Sequence, residues 1–189
     1  MSRSPLLSRL DELLLPLGFE RQKWTWNRRS GSLIDVIDVQ VSNARDTATV
    51  NAGVIDPDVF KLCWGNDPPT PVDEPSCTVR VRVGQLIGDL DVWWPISEAE
   101  TPWKAVEAVS EKVLPFVERM HSREAMVEFL IATDVLRRKY PPPIIYLAIL
   151  RDLAGDKPGA CAVLDELRET ALGAWRDAAS EVSIRLGCS

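Results

Sequence analysis

At 189 residues the chain is long enough for one full hydrophobic core with a helical extension, or for two small units. Hydrophobic residues make up 46% and charged residues 26%, a balance that excludes a disordered chain, and no apolar run approaches the roughly 20 residues that span a bilayer. The net charge of −6 leaves no basic footprint to displace counterions from phosphate, so neither nucleic acid nor a membrane is expected as a partner.

Pro5 follows Ser4 as a first-turn proline follows an N-cap, and Leu6, Leu7, Leu10, Leu13, Leu14 and Leu17 recur at helical spacing until Gly18 stops the run. This predicts an opening amphipathic helix. The start, Met1-Ser2-Arg3-Ser4-Pro5-Leu6-Leu7, lacks the long apolar stretch and small-residue cleavage site of a secretory signal, and a cytoplasmic location is the expectation. Trp24 to Arg28 alternates as a strand does, Arg29-Ser30-Gly31-Ser32 supplies a turn, and Leu33 to Ser42 continues as a second strand. Ala48, Val50, Ala52 and Val54 then alternate with Thr47, Thr49, Asn51 and Gly53, so this strand has one apolar and one polar face.

Pro57 to Pro75 reads as a long loop punctuated by prolines, with Phe60, Leu62 and Trp64 anchoring a short segment inside it. Thr78 to Val83 is the clearest strand: its valines share one face, and Thr78, Arg80 and Arg82 share the other. Val92 to Ile96 reads as a last short edge strand, because Pro95 has no N–H to give to a central ladder. From Thr101 the period becomes helical, with a kink expected at Pro115. Ser122 caps a further helix. Pro141-Pro142-Pro143 separates it from a final pair, Ile144–Ala154 and Pro158–Leu186, with the flavour of a solitary tetratricopeptide-like unit. Along Pro158–Leu186, Leu164, Leu167, Ala171, Trp175, Ala178 and Val182 form one seam.

Short strands with helices before and after but not between indicate an α+β fold: an N-terminal helix, an antiparallel meander of about four to five strands, then a helical C-terminal extension. The expected division is an α+β sheet domain over 1–118 and a helical extension packed on it over 119–189.

The sequence offers little to catalysis. His121 is the only histidine and sits at a helix junction without a positioned nucleophile nearby. Asp35 and Asp38, three apart on a strand, point to opposite faces and cannot form a carboxylate pair. Asp56 and Asp58, flanking Pro57, share a side if the chain is extended, and turn formation explains them at least as well; Glu98-Ala99-Glu100 reads as the acidic first turn of a helix. Cys63, Cys77, Cys161 and Cys188 are widely spaced, with no Cys-x-x-Cys pair, and read as reduced core or surface thiols rather than a zinc set. No phosphate-loop, dinucleotide or His-Glu-x-x-His pattern occurs, so no cofactor and no metal is expected.

One constellation stands out. If the strands pair as a meander, one sheet face gathers Thr49, Asn51, Arg80 and Arg82 with Asp38 and Gln40. The two arginines could grip a carboxylate or phosphate, or they could serve ordinary cross-strand ion pairs on a solvated face. Trp93 and Trp94, adjacent on an extended segment, must face opposite ways, one entering the core and the other lying outside or beneath a loop. An exposed tryptophan beside arginines is the type of group that anchors a protein interface.

Leu14-Leu15-Pro16-Leu17-Gly18-Phe19, Trp24-Thr25-Trp26, Val39-Gln40-Val41-Ser42, Val50-Asn51-Ala52-Gly53-Val54, Val81-Arg82-Val83-Gly84, Trp93-Trp94 and Leu114-Pro115-Phe116 together resemble a bacterial family known as domain of unknown function 4304. The resemblance covers roughly the first 118 residues, and Val41 stands where that family often has lysine. It implies the α+β fold, and it carries no catalytic residues over to this chain. Two readings of function follow. The first is a non-catalytic cytoplasmic interaction protein with a protein partner, such as an immunity-type partner of a basic toxin, acting through Gln40, Asn51, Arg80, Arg82, Trp93 and Trp94. The alternative is a small-anion or phosphate-binding protein, or a weak enzyme, using the Arg80/Arg82 face.

Overall fold

The computed structural model describes residues 4–88, 91–137 and 140–188, so Met1-Ser2-Arg3 of the opening segment lie outside the described residues. In chain order the elements are α1 (Pro5–Leu14), β1 (Glu20–Gln22), β2 (Thr25–Ser30), β3 (Leu33–Val41), β4 (Thr47–Ile55), α2 (Pro57–Trp64), β5 (Val79–Arg82), α3 (Val83–Ile87), β6 (Trp94–Pro95), α4 (Thr101–Ala108), α5 (Leu114–Arg119), α6 (Arg123–Ala132), α7 (Pro142–Leu153), α8 (Lys157–Thr170) and α9 (Ala174–Leu186). They form two compact units. The first runs to Ile55 and resumes over Pro69–Arg119; the second comprises Asp56–Pro68 and the chain from Met120 onward.

The first unit is built on an antiparallel sheet of order β1-β2-β3-β4-β5, with β6 pairing β4 beyond the end of β5. The fold class is as expected, with six strands among the described residues where the sequence suggests four to five. Register sets the two faces: Trp26 pairs Ile37, Ile37 pairs Ala52, and Ala52 pairs Val81, which gathers the apolar positions of four strands on one side. Leu6, Leu10 and Leu14 of α1 are buried, each stabilising by about 2 kcal/mol. The Trp26 indole N–H donates to Asp11 of α1 at 3.0 Å, and Asp11 also pairs with Arg21 at 3.1 Å.

A π-type turn, Val109–Val113, joins α4 to α5 immediately before Pro115. Proline has no N–H for a helical bond, and its ring crowds the carbonyl four residues back; the wider turn relieves both. The kink expected at Pro115 thus takes the form of a π-turn. Val109, Val113 and Val117 remain buried through it.

Two short helices replace irregular chain expected from the sequence. Val83 starts α3 instead of extending β5, because the Gln85 side chain accepts from the Arg82 N–H at 2.9 Å and holds the chain in a first turn. The Pro57–Pro75 segment is not wholly a loop. Asp56 accepts from the N–H groups of Asp58 and Val59, Pro57 occupies the first helical position, and Gly65 (φ 77°) closes α2. Asp56 and Asp58 are therefore helix-start residues rather than plain turn formers.

In the second unit Asp56 also pairs with Arg123 at the start of α6, Nε to Oδ2 at 2.7 Å, and Asp58 takes the same guanidinium at 2.6 Å. α7 is the centre of this unit, buried at Pro142 and from Ile144 to Leu150. The Trp64 indole N–H of α2 donates to the Tyr146 hydroxyl of α7 at 3.1 Å. The single helix expected over Pro158–Leu186 is two: α8 ends at Thr170, Ala171 is extended, and Gly173 takes φ 57° before α9 begins. Leu164, Leu167 and Val182 of the expected seam are buried, while Ala171, Trp175 and Ala178 are half-buried.

Cys161 and Cys188 form a disulfide, with Cα atoms 5.6 Å apart, which corrects the expectation of reduced thiols at those positions. Sequence spacing carries no sign of it, because the pairing depends on the chain reversal between α8 and α9. Cys63 and Cys77 are free and buried. The bridge closes a loop with sequence separation 27 and restricts the unfolded chain accordingly. Cys161→Ser should lower stability by about 3 kcal/mol in urea titrations; a midpoint equal to that of the oxidised parent protein would show that the bridge contributes nothing.

Candidate binding face

The second sheet face is the polar one. Thr25 pairs Asp38, Asp38 pairs Asn51, Gln40 pairs Thr49, Asn51 pairs Arg82, and Gly53 pairs Arg80, so alternation places all of these side chains on one side. The sequence predicts Gln40, Asn51, Arg80 and Arg82 together, and the register does bring them onto this face.

It is not an open solvated surface throughout. The segment after Pro69 crosses it: Val72 N–H donates to the Asn27 side chain at 2.9 Å, and the Asn27 amide returns a bond to the Val72 carbonyl at 3.0 Å. Gly53 is what admits this crossing. A Cβ there would lie 2.6 Å from both the Cys77 Cβ and the Val79 carbonyl oxygen. Glu74, brought in by the same segment, pairs with Arg80 at 3.4 Å.

Beyond the crossing lies the Arg82 network. Arg82 Nε donates to Asn51 Oδ1 at 3.2 Å and Nη2 to Gln40 Oε1 at 3.2 Å, while the Asn51 amide donates to the same Gln40 oxygen at 3.0 Å. Nη1 pairs with the Asp91 carboxylate. The Arg82 Cζ lies 5.2 Å from the Trp93 ring centroid, a cation–π contact. Three of the five guanidinium N–H donors are thus engaged, and the side chain stays partly exposed. Thr49, beside Gln40, is fully buried and its Oγ1 has no hydrogen-bond partner among the described residues.

Trp93 and Trp94 do face opposite ways. Trp93 stacks on Arg82, and Trp94 is in register with Ala48, whose side chain belongs to the apolar face. Neither enters the core, however: both are half-buried. The reason is that the regular strand is only Trp94–Pro95, too short to draw either ring under the helices. Two partners of the site escape sequence reading, Glu74 and Asp91. Both lie outside the strands, where no periodicity indicates which side chain meets which.

The other acid–base candidates are accounted for locally. Asp35 is fully buried on the helix side of the sheet and bonded by Arg28 at 2.8 Å, while Asp38 on the opposite face accepts from Thr25 at 2.8 Å, as their spacing requires. His121 is half-buried in the turn before α6. Glu98 and Glu100 both lie within ion-pair range of Lys104. Burial pushes the Cys63 thiol up to about 12 and the Cys77 thiol well above its ordinary value, so neither supplies a thiolate nucleophile near neutrality. Among the described residues no group of His, Cys, Asp and Glu could hold a metal ion.

Two carboxyl groups on the polar face are held above their usual range. Burial is the main cause for Asp38, opposed by hydrogen bonds from Thr25 and Asn51. For Glu74 burial again dominates, and it outweighs the attraction of Arg80 because that pair is long and Arg80 is itself largely exposed.

A six-stranded antiparallel sheet with helices against its apolar face and a polar, arginine-bearing second face defines the first unit as an α+β domain. Residues 10–119 match the family described as Domain of unknown function (DUF4304), and the chain belongs to that family. No curated protein and no solved structure matches the chain.

Because folding raises both carboxyl pKa values, the folded state binds these protons more tightly than the unfolded chain does. Their contribution to stability is full below the ordinary carboxylate range and is lost as pH rises through the raised values. Between about pH 4 and about pH 7 the Asp38→Asn/Glu74→Gln variant should lose less melting temperature than the parent protein. Parallel melting curves would show that the two carboxyls titrate alike folded and unfolded.

Proposed function

We propose that this is a non-catalytic bacterial interaction protein that captures a protein partner through the Arg82–Trp93 region of the polar sheet face, an immunity-type partner of a toxin being one form of that role. The observation that carries the reading is the Arg82 network. A guanidinium fixed by Gln40, Asn51 and Asp91 and stacked on Trp93 presents a rigid cation–aromatic pair at the surface. Arginine and tryptophan held in this way bind with little further loss of side-chain freedom, and they dominate the energetics of many interfaces. The net charge of −6 adds a long-range preference for a basic partner.

The same geometry weighs against a phosphate or small-anion grip by the two arginines. Arg80 and Arg82 each already hold a carboxylate, Glu74 and Asp91 respectively. An incoming anion would have to displace one of these.

Tagged protein captured from its native lysate should bring down a stoichiometric partner. Arg82→Ala and Trp93→Ala should each weaken that capture by roughly 30-fold while melting temperature stays within a few degrees of the parent. A toxin-like reading frame beside the gene would single out the immunity role. Retention of the partner by both variants, or a bait that captures nothing, would refute the assignment of this face.

A further inference from the structure

Away from the Arg82 network, on the apolar side of the same sheet, the β3–β4 end carries an open depression of about 710 Å³ lined by Trp24, Val39, Val41, Ile96, Asn43 and Arg45, with Ser42. We propose that it binds an apolar group ending in a carboxylate, such as a medium-chain or aryl-substituted carboxylic acid.

The lining divides by chemistry. Val39, Val41 and Ile96 supply an apolar floor, and Trp24, 38% exposed, supplies a large flat wall that remains available to solvent. The volume falls in the range of small-molecule sites, which are mostly apolar with a few placed polar groups. Its walls are fixed by the backbone. The Val39 N–H donates to the Trp24 carbonyl at 2.9 Å, and the Ile96 N–H donates to the Asp46 carbonyl at 2.8 Å.

Arg45 provides the charge. It stands at the tip of the β3–β4 turn with φ 60°, a left-handed conformation uncommon for a residue with a Cβ, and its side chain makes no ion pair or hydrogen bond among the described residues. The adjacent acid does not neutralise it. Asp46 is turned to Ser42, whose hydroxyl donates to it at 2.7 Å, and that bond leads the causes holding its carboxyl below the usual range. The result is an apolar hollow whose lining carries one uncommitted guanidinium and no acidic side chain. One planar fork matches one carboxylate in shape and charge, whereas a phosphate dianion would leave a surplus charge on a chain already at −6.

The test is a 1H–15N NMR titration of the full chain with octanoate, octanol and acetate, followed at the Trp24 indole N–H and the Ile96 amide. Octanoate should give saturable shifts at both, octanol should bind roughly tenfold more weakly for want of the charge, and acetate should leave both unmoved for want of the tail. Arg45→Asn keeps a side chain that tolerates the left-handed backbone. It should reduce octanoate binding to the level of octanol, and Trp24→Ala should weaken both ligands alike. The proposal is overturned if octanoate produces no saturable shift at these two positions, if octanol binds as well as octanoate, or if Arg45→Asn binds octanoate like the parent. None of these results bears on partner capture by the Arg82 face.

Discussion

Strand β4 is buried on both sides of the sheet from Ala48 to Ile55, and that constraint organises the first unit. Its apolar positions, Ala48, Val50, Ala52 and Val54, need only hydrophobic cover, which the helices supply. Its other side carries Asn51 and Gly53, and each makes a different demand. A buried amide must find partners, since leaving one unpaired costs about 1–3 kcal/mol. Gln40 and Arg82 meet that need, which draws the arginine across the strand instead of out into solvent. Gly53, lacking a Cβ, lets the chain before β5 cross close enough to seal the rest of the face.

The recognition chemistry proposed for this face is therefore a by-product of satisfying the centre of the sheet. Arg82 is immobilised by groups that β3 and β4 place for their own reasons, with Asp91 and Trp93 closing over it from a later segment. A side chain already ordered in the free protein has less freedom to lose when a partner arrives. The ion pair between Arg28 and Asp35 on the opposite side does different work. Asp35 is fully buried, and its pair with Arg28 fixes β2 against β3. Arg28 also stacks on Phe19, 4.6 Å from the ring centroid, and so ties the chain after α1 to the same sheet.

Much of the first unit is legible from alternation. The leucine spacing of α1, the two-residue period of β3 and β4, and the valines of β5 each state which face is buried, and register then follows because a one-residue slip would invert it. That is why alternation alone suffices to place Gln40, Asn51 and Arg82 on one face. What period cannot convey is which irregular segment lies on that face, and Glu74, Asp91 and the Asn27–Val72 clamp are invisible to it for that reason. Short helices are lost in the same way. α2 has only eight residues, and its Asp56-Pro57 start and Gly65 stop are also turn signals. The break at Gly173 is masked because Leu164, Leu167, Ala171, Trp175, Ala178 and Val182 keep helical spacing straight across it in the sequence. The Cys161–Cys188 bridge follows from that reversal and has no local signature.

Whether Arg82 is a preorganised recognition group is measured most directly by side-chain 15N relaxation of its Nε–H. A guanidinium held as described should show an order parameter near the rigid-backbone value of about 0.85, falling in the Gln40→Ala variant as one acceptor is lost. An Arg82 Nε–H with an order parameter below about 0.6 in the parent protein would contradict preorganisation, because a freely moving guanidinium would lose its freedom on binding like any other surface arginine.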